Sequence, residues 1–325
     1  MNVKRSFLVF LMFTVIAWTA RSPATAADKV RIAVSNFNVT FLPVAVASKK
    51  GDFRDEGLEV EIIRVSAAVS VAALASGDLD YIMVLGSSVR AALRGLPIKV
   101  LASFIDALAL ALIAQPGIKS VAELRGKTLG ISTFGSTSDL AARIMVRHYG
   151  VDPEKEMKIL GVGPDAALLA ALKEKLIDVA IASPPADVQA KKMGFNVLAR
   201  AYDVFRYPAI GLSATDKKIK ERPDEAKRIL KALIRANRYM RDDRTGTIHV
   251  LMEWAKVDHE SAAMAYDGSA AVFNANDGTI PEEGLRLVLE QAKKEARITR
   301  DIPLTEITNV TILRETQKQL NAKRD

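Results

Sequence analysis

Residues 130–145 read GISTFGSTSDLAARIM. Gly130, Gly135 and Thr137 have the spacing of a phosphate-binding loop, in which backbone N–H groups cradle phosphates, a lysine meets the triphosphate and a Ser or Thr holds Mg²⁺. Ser136 stands where that lysine belongs. Without the lysine, the turn from Ser132 to Thr137 offers only neutral hydroxyl and N–H donors at a predicted helix start. The helix dipole is positive there, so the turn suits a small oxyanion or polar headgroup better than a triphosphate. Gly130 itself falls in the preceding strand, which makes the match a coincidence of spacing.

Other chemistry is sparse. The chain has no cysteine, which excludes disulfides, thiolate metal sites, a cysteine nucleophile and a lipid-modified cysteine. His148, His249 and His259 lack metal-ligand spacing. No Gly-x-Ser-x-Gly elbow is present. Gly161-Val162-Gly163 lacks the third glycine of a dinucleotide fingerprint, and Pro164 follows it, so it reads as a tight turn. Asp80 and Asp178 form a possible carboxylate pair, but each stands at the entry of a predicted strand, where an aspartate is more simply a turn residue. This inventory predicts a binding protein rather than an enzyme, with no metal and no cofactor.

The elements that must position these residues alternate. Residues 30–35 (VRIAVS) read as a strand, a helix runs to Gly51, residues 58–66 (LEVEIIRVS) form a second strand, residues 67–77 a helix and residues 79–86 (LDYIMVLG) a buried strand. Residues 128–183 repeat the order with TLGIST, a helix through SDLAARIMVRHYG, EMKILGV, DAALLAALKEKL and IDVAIAS. ALASGDLDYIMV lies over ALKEKLIDVAIA, residue 73 over residue 171, and RIAVSNFN over TLGISTFG, residue 31 over residue 128. Two similar α/β lobes with parallel strands are expected. The apolar residues 100–117 and the extended residues 207–217 are candidates for crossing between them. From Arg222 the pattern is mostly helical, with Pro223 and Pro281 at helix starts.

In parallel sheets, ligands lie beyond the carboxyl ends of the strands. Those loops carry Ser35, Asn36, Phe37, Asn38 and Thr40; Ser66; Gly86 and Ser87; Ser132, Thr133, Gly135, Ser136 and Thr137; Gly161 and Gly163; and Ser183 with Pro184 and Pro185. Any single hydroxyl here can simply cap its own helix. Six small, hydroxyl-rich, nearly uncharged loops at one edge predict a shared polar cleft.

The N-terminus has the three parts of a secretory signal peptide: Lys4 and Arg5, fourteen apolar residues from 7 to 20, and Ala24-Thr25-Ala26 before a cleavage point. Fourteen residues are short for a membrane span, which needs about 20; an uncleaved anchor is the alternative. With residues 1–26 removed, the formal charge of +8 falls to +5, because Lys4, Arg5 and Arg21 lie in that segment. The remaining basic residues are interleaved with acids and form no nucleic-acid stripe.

The signal segment, the duplicated lobe, VAALASGDLDYIMV, SVAELRGKTLGIS at residues 120–132 and the Gly/Ser/Thr turn together resemble the periplasmic solute-binding proteins of ABC importers. The branch is that of alkanesulfonate, taurine, nitrate and thiamine-pyrimidine-precursor binders. The resemblance implies a type II periplasmic binding fold: two similar α/β lobes around a ligand cleft, joined by two crossovers. Lobe one would comprise residues 27–107 and 213–325, with the C-terminal helices, and lobe two residues 108–212. Carried over by position, Ser35, Asn36, Phe37, Gly86 and Ser87 would face the cleft from lobe one. Ser132, Thr133, Gly135, Ser136, Thr137 and Ser183 would face it from lobe two, and Phe104 and Tyr207 would flank the ligand beside the crossovers. Sulfonate binders of this branch often place a Trp near the third strand of lobe two; here that loop is Ser183-Pro184-Pro185, and Trp254 lies deep in the C-terminal helices. That departure argues against a sulfonate. The implied role is monomeric periplasmic capture of a small polar or anionic organic solute and its delivery to a permease. The alternatives are a periplasmic ligand-sensing receptor or a pyrimidine-synthase-like enzyme.

Overall fold

The computed structural model describes residues 27–134 and 136–322; the expected signal segment at 1–26 and Gly135 lie outside the described residues. Among the described residues, ten strands form two five-stranded sheets. The first contains β1 (Asp28–Val34), β2 (Leu58–Arg64), β3 (Tyr81–Ile82), β4 (Ile98–Ile105) and β10 (Ile210–Thr215), in the order β2-β1-β3-β10-β4. The second contains β5 (Ala111–Ala114), β6 (Thr128–Ile131), β7 (Lys158–Gly161), β8 (Val179–Ala182) and β9 (Asn196–Arg200), in the order β7-β6-β8-β5-β9.

The two orders are the same arrangement. In each sheet three strands run parallel, Ile32 of β1 pairing with Ile62 and Tyr81, and Leu129 of β6 with Ile159 and Val179. In each, the fourth strand is antiparallel to both neighbours, β10 between β3 and β4, and β5 between β8 and β9. That antiparallel strand is always the one that has just crossed from the other lobe. The apolar run at 100–117 is therefore two strands, β4 and β5, with the first crossover at residues 106–110. The second crossover occupies residues 201–209. Because β10 joins the first sheet from Ile210, the return to lobe one comes slightly before the expected boundary at 213.

Asp80 and Asp178 explain how the repeat is built. The Asp80 carboxylate accepts the Arg31 backbone N–H at 2.7 Å, and that of Asp178 accepts the Thr128 N–H at 2.8 Å. Each aspartate also donates its own N–H to the carbonyl of the same partner. Both carboxylates thus anchor the entry of the central strand, as the turn-residue reading expected. Gly130 lies within β6, where a Cβ would come within 2.5 Å of Ile177 Cδ1 and 2.9 Å of Leu168 Cδ2. Its role is close packing beneath the helix Asp165–Lys173.

The C-terminal helices complete the first lobe. Pro223–Asp242 places Ala226, Ile229, Leu230, Leu233 and Ile234 on one face at helical spacing, all fully buried. That face packs against helix Leu42–Lys50 and β4. Helix Glu282–Ala296 packs on helix Leu85–Leu93 and rests at Gly284 against Pro208 and the Arg206 carbonyl in the second crossover, where a Cβ would come within 2.7 Å. No helix among the described residues is long and apolar enough to cross a membrane.

Candidate functional site

The strand-end loops of both sheets and the two crossovers enclose two adjoining cavities. The inner one, about 210 Å³, is walled by Asn38, Val39 and Thr40 after β1, by Ile105 and Ala107 to Leu110 of the first crossover, by Thr137 and Ser138, by Ser183 and Pro184, by Ala209, and by Ser269, Val272 and Phe273. The outer one, about 420 Å³, is lined by Ser35, Asn36, Asn38, Thr40, Phe41, Val84, Gly86, Ser87, Arg90, Thr137, Tyr207, Ala209 and Ile210. Asn38, Thr40, Thr137 and Ala209 are common to both, so the cavities are contiguous.

Local sequence explains these positions. Asn38 caps a short 3-10 turn by accepting the Thr40 N–H at 3.1 Å, which lifts the chain out of β1 and into the cleft wall. Ser136 caps helix Thr137–His148 by accepting the Asp139 N–H at 3.3 Å. The hydroxyls of Ser132, Ser136 and Ser138 form a triangle with edges of 3.1, 2.7 and 2.9 Å. Ser138 is the corner that lines the inner cavity. Ser183 donates its hydroxyl, and at 3.2 Å its N–H, to the Asp165 carboxylate.

Of the sequence candidates, the structure brings together Ser35, Asn36, Gly86, Ser87, Thr137 and Ser183, with Tyr207 from the second crossover. Ser132 and Ser136 stand one hydrogen bond from the cavity, through Ser138. Thr133 is exposed and lines neither cavity, and Gly135 lies outside the described residues. Two expectations are corrected. Phe104 is fully buried in the first-lobe core, because β4 turns that face inward, and it does not flank the cleft. Phe37 also lines neither cavity: its ring packs on Trp254, 4.4 Å between centroids, with the Arg64 guanidinium 5.5 Å from the ring centre. Trp254 is correspondingly no remote helical residue, since it braces the first-lobe loop.

Several lining residues escaped the sequence reading. Arg90 had a legible signal, one helical turn after Gly86. Ser138 sat one residue beyond the chosen turn. Ser269, Val272 and Phe273 had none, because only long-range packing brings the end of helix His259–Ser269 to the cleft.

Arg90 is the one charged side chain among the described residues lining either cavity. Its Nε and Nη2 donate to Glu295 at 2.6 and 3.3 Å, and this pairing raises its basicity. Burial pushes the Tyr207 phenol up, so it stays neutral and able to donate. At the first crossover, burial pushes the Asp106 carboxyl up to about 6, opposed by hydrogen bonds from Asn274 and Ser103 and by the charge of Arg206. Among the described residues, no group of three His, Asp or Glu is placed to hold a metal.

Two pseudo-symmetric lobes, exchanged antiparallel strands and a cleft walled by both crossovers define a type II periplasmic binding fold. The chain belongs to the NMT1/THI5-like family, which it matches over residues 38–245. It is 27% identical over 208 residues to the riboflavin-binding protein RibY of Chloroflexus aurantiacus, a stretch covering 61% of this chain and 58% of that protein. It is 26% identical over 254 residues to the 4-amino-5-hydroxymethyl-2-methylpyrimidine phosphate synthase of Candida albicans, 71% of each chain. In three dimensions it is similar to the periplasmic sulfonate-binding protein SsuA of Methylobacillus flagellatus, with a TM-score of 0.73 and 17% identity over 91% of this chain and 96% of that one. That last likeness is one of fold.

Proposed function

We propose that the chain is the extracytoplasmic substrate-binding component of an ABC importer, a monomer that captures a small polar or anionic organic solute between its lobes and delivers it to a membrane permease. The observation that carries this reading is the double cavity, walled by both sheets and both crossovers at once. A solute there contacts both lobes together, so it favours the closed arrangement over an open one by its extra contacts. Hydroxyl and amide donors in the walls act in a lowered dielectric once water is displaced. The signal-peptide pattern at residues 1–26 supports export, and the named roles of RibY and SsuA support solute capture.

A thermal-shift panel of sulfonates, carboxylates, nitrate, pyrimidines and flavins tests this. At a hundredfold excess over Kd, a ligand stabilises by roughly 2.7 kcal/mol, a shift of roughly 4 °C for a chain of this size. Silence across the whole panel overturns the reading. The Candida albicans relative favours catalysis as a second reading, for which turnover of a bound solute is the test. Against it, His148 meets Tyr149 edge-on, and the rings of His249 and His259 lie 6.4 Å apart, none of them lining either cavity.

A further inference from the structure

We infer that Arg90 is the anion receptor of this cleft and that the captured solute is an organic monoanion, its charged end at Arg90 and an apolar body in the inner cavity. The inference rests on the capture reading and narrows its ligand class.

A guanidinium presents two hydrogen-bonding edges, Nε with Nη2 and Nη1 with Nη2. Glu295 occupies the first. Nη1 lies on the Gly86 side, where a Cβ on that glycine would stand only 3.2 Å away. Gly86, Ser87 and Asn36 line the outer cavity together with Arg90. Glycine at 86 sets no side chain against Nη1, and the guanidinium edge that Glu295 does not occupy matches the two oxygens of a carboxylate or sulfonate.

The local charge favours an anion despite the Glu295 partner. Glu295 is held ionised by Arg90 and also feels Arg94. Two arginines and one carboxylate leave a single positive charge. The neutral Tyr207 hydroxyl in the same wall adds a donor without adding negative charge.

The inner cavity differs in character. Ala107 to Leu110, Val272 and Phe273 supply its apolar wall. Its polar wall carries Asn38, Thr40, Thr137, Ser138 and Ser183, and beside the apolar residues lies Ser269, 3% exposed, whose hydroxyl has no hydrogen-bond partner. A buried hydroxyl left unpaired is unfavourable, so a polar atom on the far part of the solute would satisfy it. A bare oxyanion such as nitrate has no atoms with which to fill this space.

Isothermal titration of the mature chain tests the assignment with hexanoate and benzoate, their sulfonate counterparts, the neutral amides of both acids, a pyrimidine and nitrate. The acids or the sulfonates should bind at least a hundredfold more tightly than the amides and nitrate, and the affinity should fall as salt rises. Comparing carboxylate with sulfonate identifies the headgroup. Arg90→Gln should remove that preference. Arg90→Lys, which keeps the charge and loses the fork, should retain an intermediate preference and guards against misfolding of the first variant. If amides or the pyrimidine bind as tightly as the acids, or Arg90→Gln leaves acid affinity unchanged, the assignment is wrong while solute capture stands. If none of the probes binds, the monoanion assignment falls, and solute capture falls only if the wider thermal-shift panel with flavins is silent as well.

Discussion

The ring of Phe37 packs on the indole of Trp254 with 4.4 Å between centroids, and the indole N–H donates to the Asn38 carbonyl at 3.0 Å. A helix near the C-terminus, Arg244–Ala255, thereby holds the loop that carries Asn38 and Thr40 into both cavities. Sequence order hides this, since Trp254 looks remote from the first strand.

Trp254→Phe keeps the aromatic contact and removes the donated hydrogen bond. It should lower unfolding stability by about 1 kcal/mol in urea titrations. Phe37→Ala loses the aromatic pair and part of its buried surface, about 2 kcal/mol, and should also weaken ligand binding by slackening the loop. Unaltered affinity in Phe37→Ala would show that the loop is held by other contacts.

Ser136 and Ser138 are neighbours in one hydroxyl triangle but should fail differently. Ser136→Ala removes a helix cap and should cost about 1 kcal/mol of stability. Ser138→Ala changes the cavity wall and should weaken ligand binding by about 1 kcal/mol, roughly fivefold. Calorimetry alongside chemical denaturation separates the two, and a reversed pattern would exchange their roles.

Asp178→Ala removes the acceptor of the Thr128 N–H at the entry of β6. Stability should fall by about 1–3 kcal/mol, the range for a charged acceptor left without replacement. Asp80→Ala additionally strips Lys218 of a partner at 2.9 Å and should be the more damaging. Neither should change ligand affinity more than about twofold, since at an effective dielectric this far from the cleft little charge is felt. A tenfold loss in either would return the pair to the list of functional carboxylates.

Asp106 should make stability depend on pH. Its folded-state pKa of about 6 lies above the ordinary 3.8. Between those values the folded chain keeps a proton that the unfolded chain has released. The contribution of Asp106 to stability is therefore fully present below about pH 4 and is lost as pH rises through 6. Asp106→Asn preserves an oxygen to accept from Ser103 and Asn274. It should be more stable than the parent at pH 7.5 by about 2 kcal/mol, allowing for partial exposure, with the gap closing near pH 4. Asp52, also pushed up to about 6 by burial, titrates in both proteins and cancels in the difference. Parallel stability curves for the two proteins would contradict the assignment.

Much of the architecture was legible because it is local. Each strand, helix and loop in the βαβ runs spans a few residues, with glycine at helix ends such as Gly51 and Gly77, both at positive φ. The repeat was legible because Asp80 and Asp178 meet the same backbone requirement at the same place. The candidate site was only half legible. Ser35, Asn36, Gly86, Ser87, Thr137 and Ser183 follow from the rule that parallel strands gather their loops at one edge. The same rule cannot say which way a side chain turns, and so it included Phe37, while Phe104 was included only for its place beside a crossover.

What the sequence alone determined is the repeated order of elements, the hydroxyl character of the strand-end loops and the turn role of the two aspartates. All of these are set by short-range backbone geometry. The tertiary structure decided where β4 ends and β5 begins within one apolar run, because only pairing with a different sheet distinguishes them. It also decided that Trp254 braces the first loop, that Glu295 orients Arg90, and that Ser269 and Phe273 close the inner cavity. Those contacts join residues far apart in the chain, and nothing in the neighbourhood of either partner encodes the distance between them.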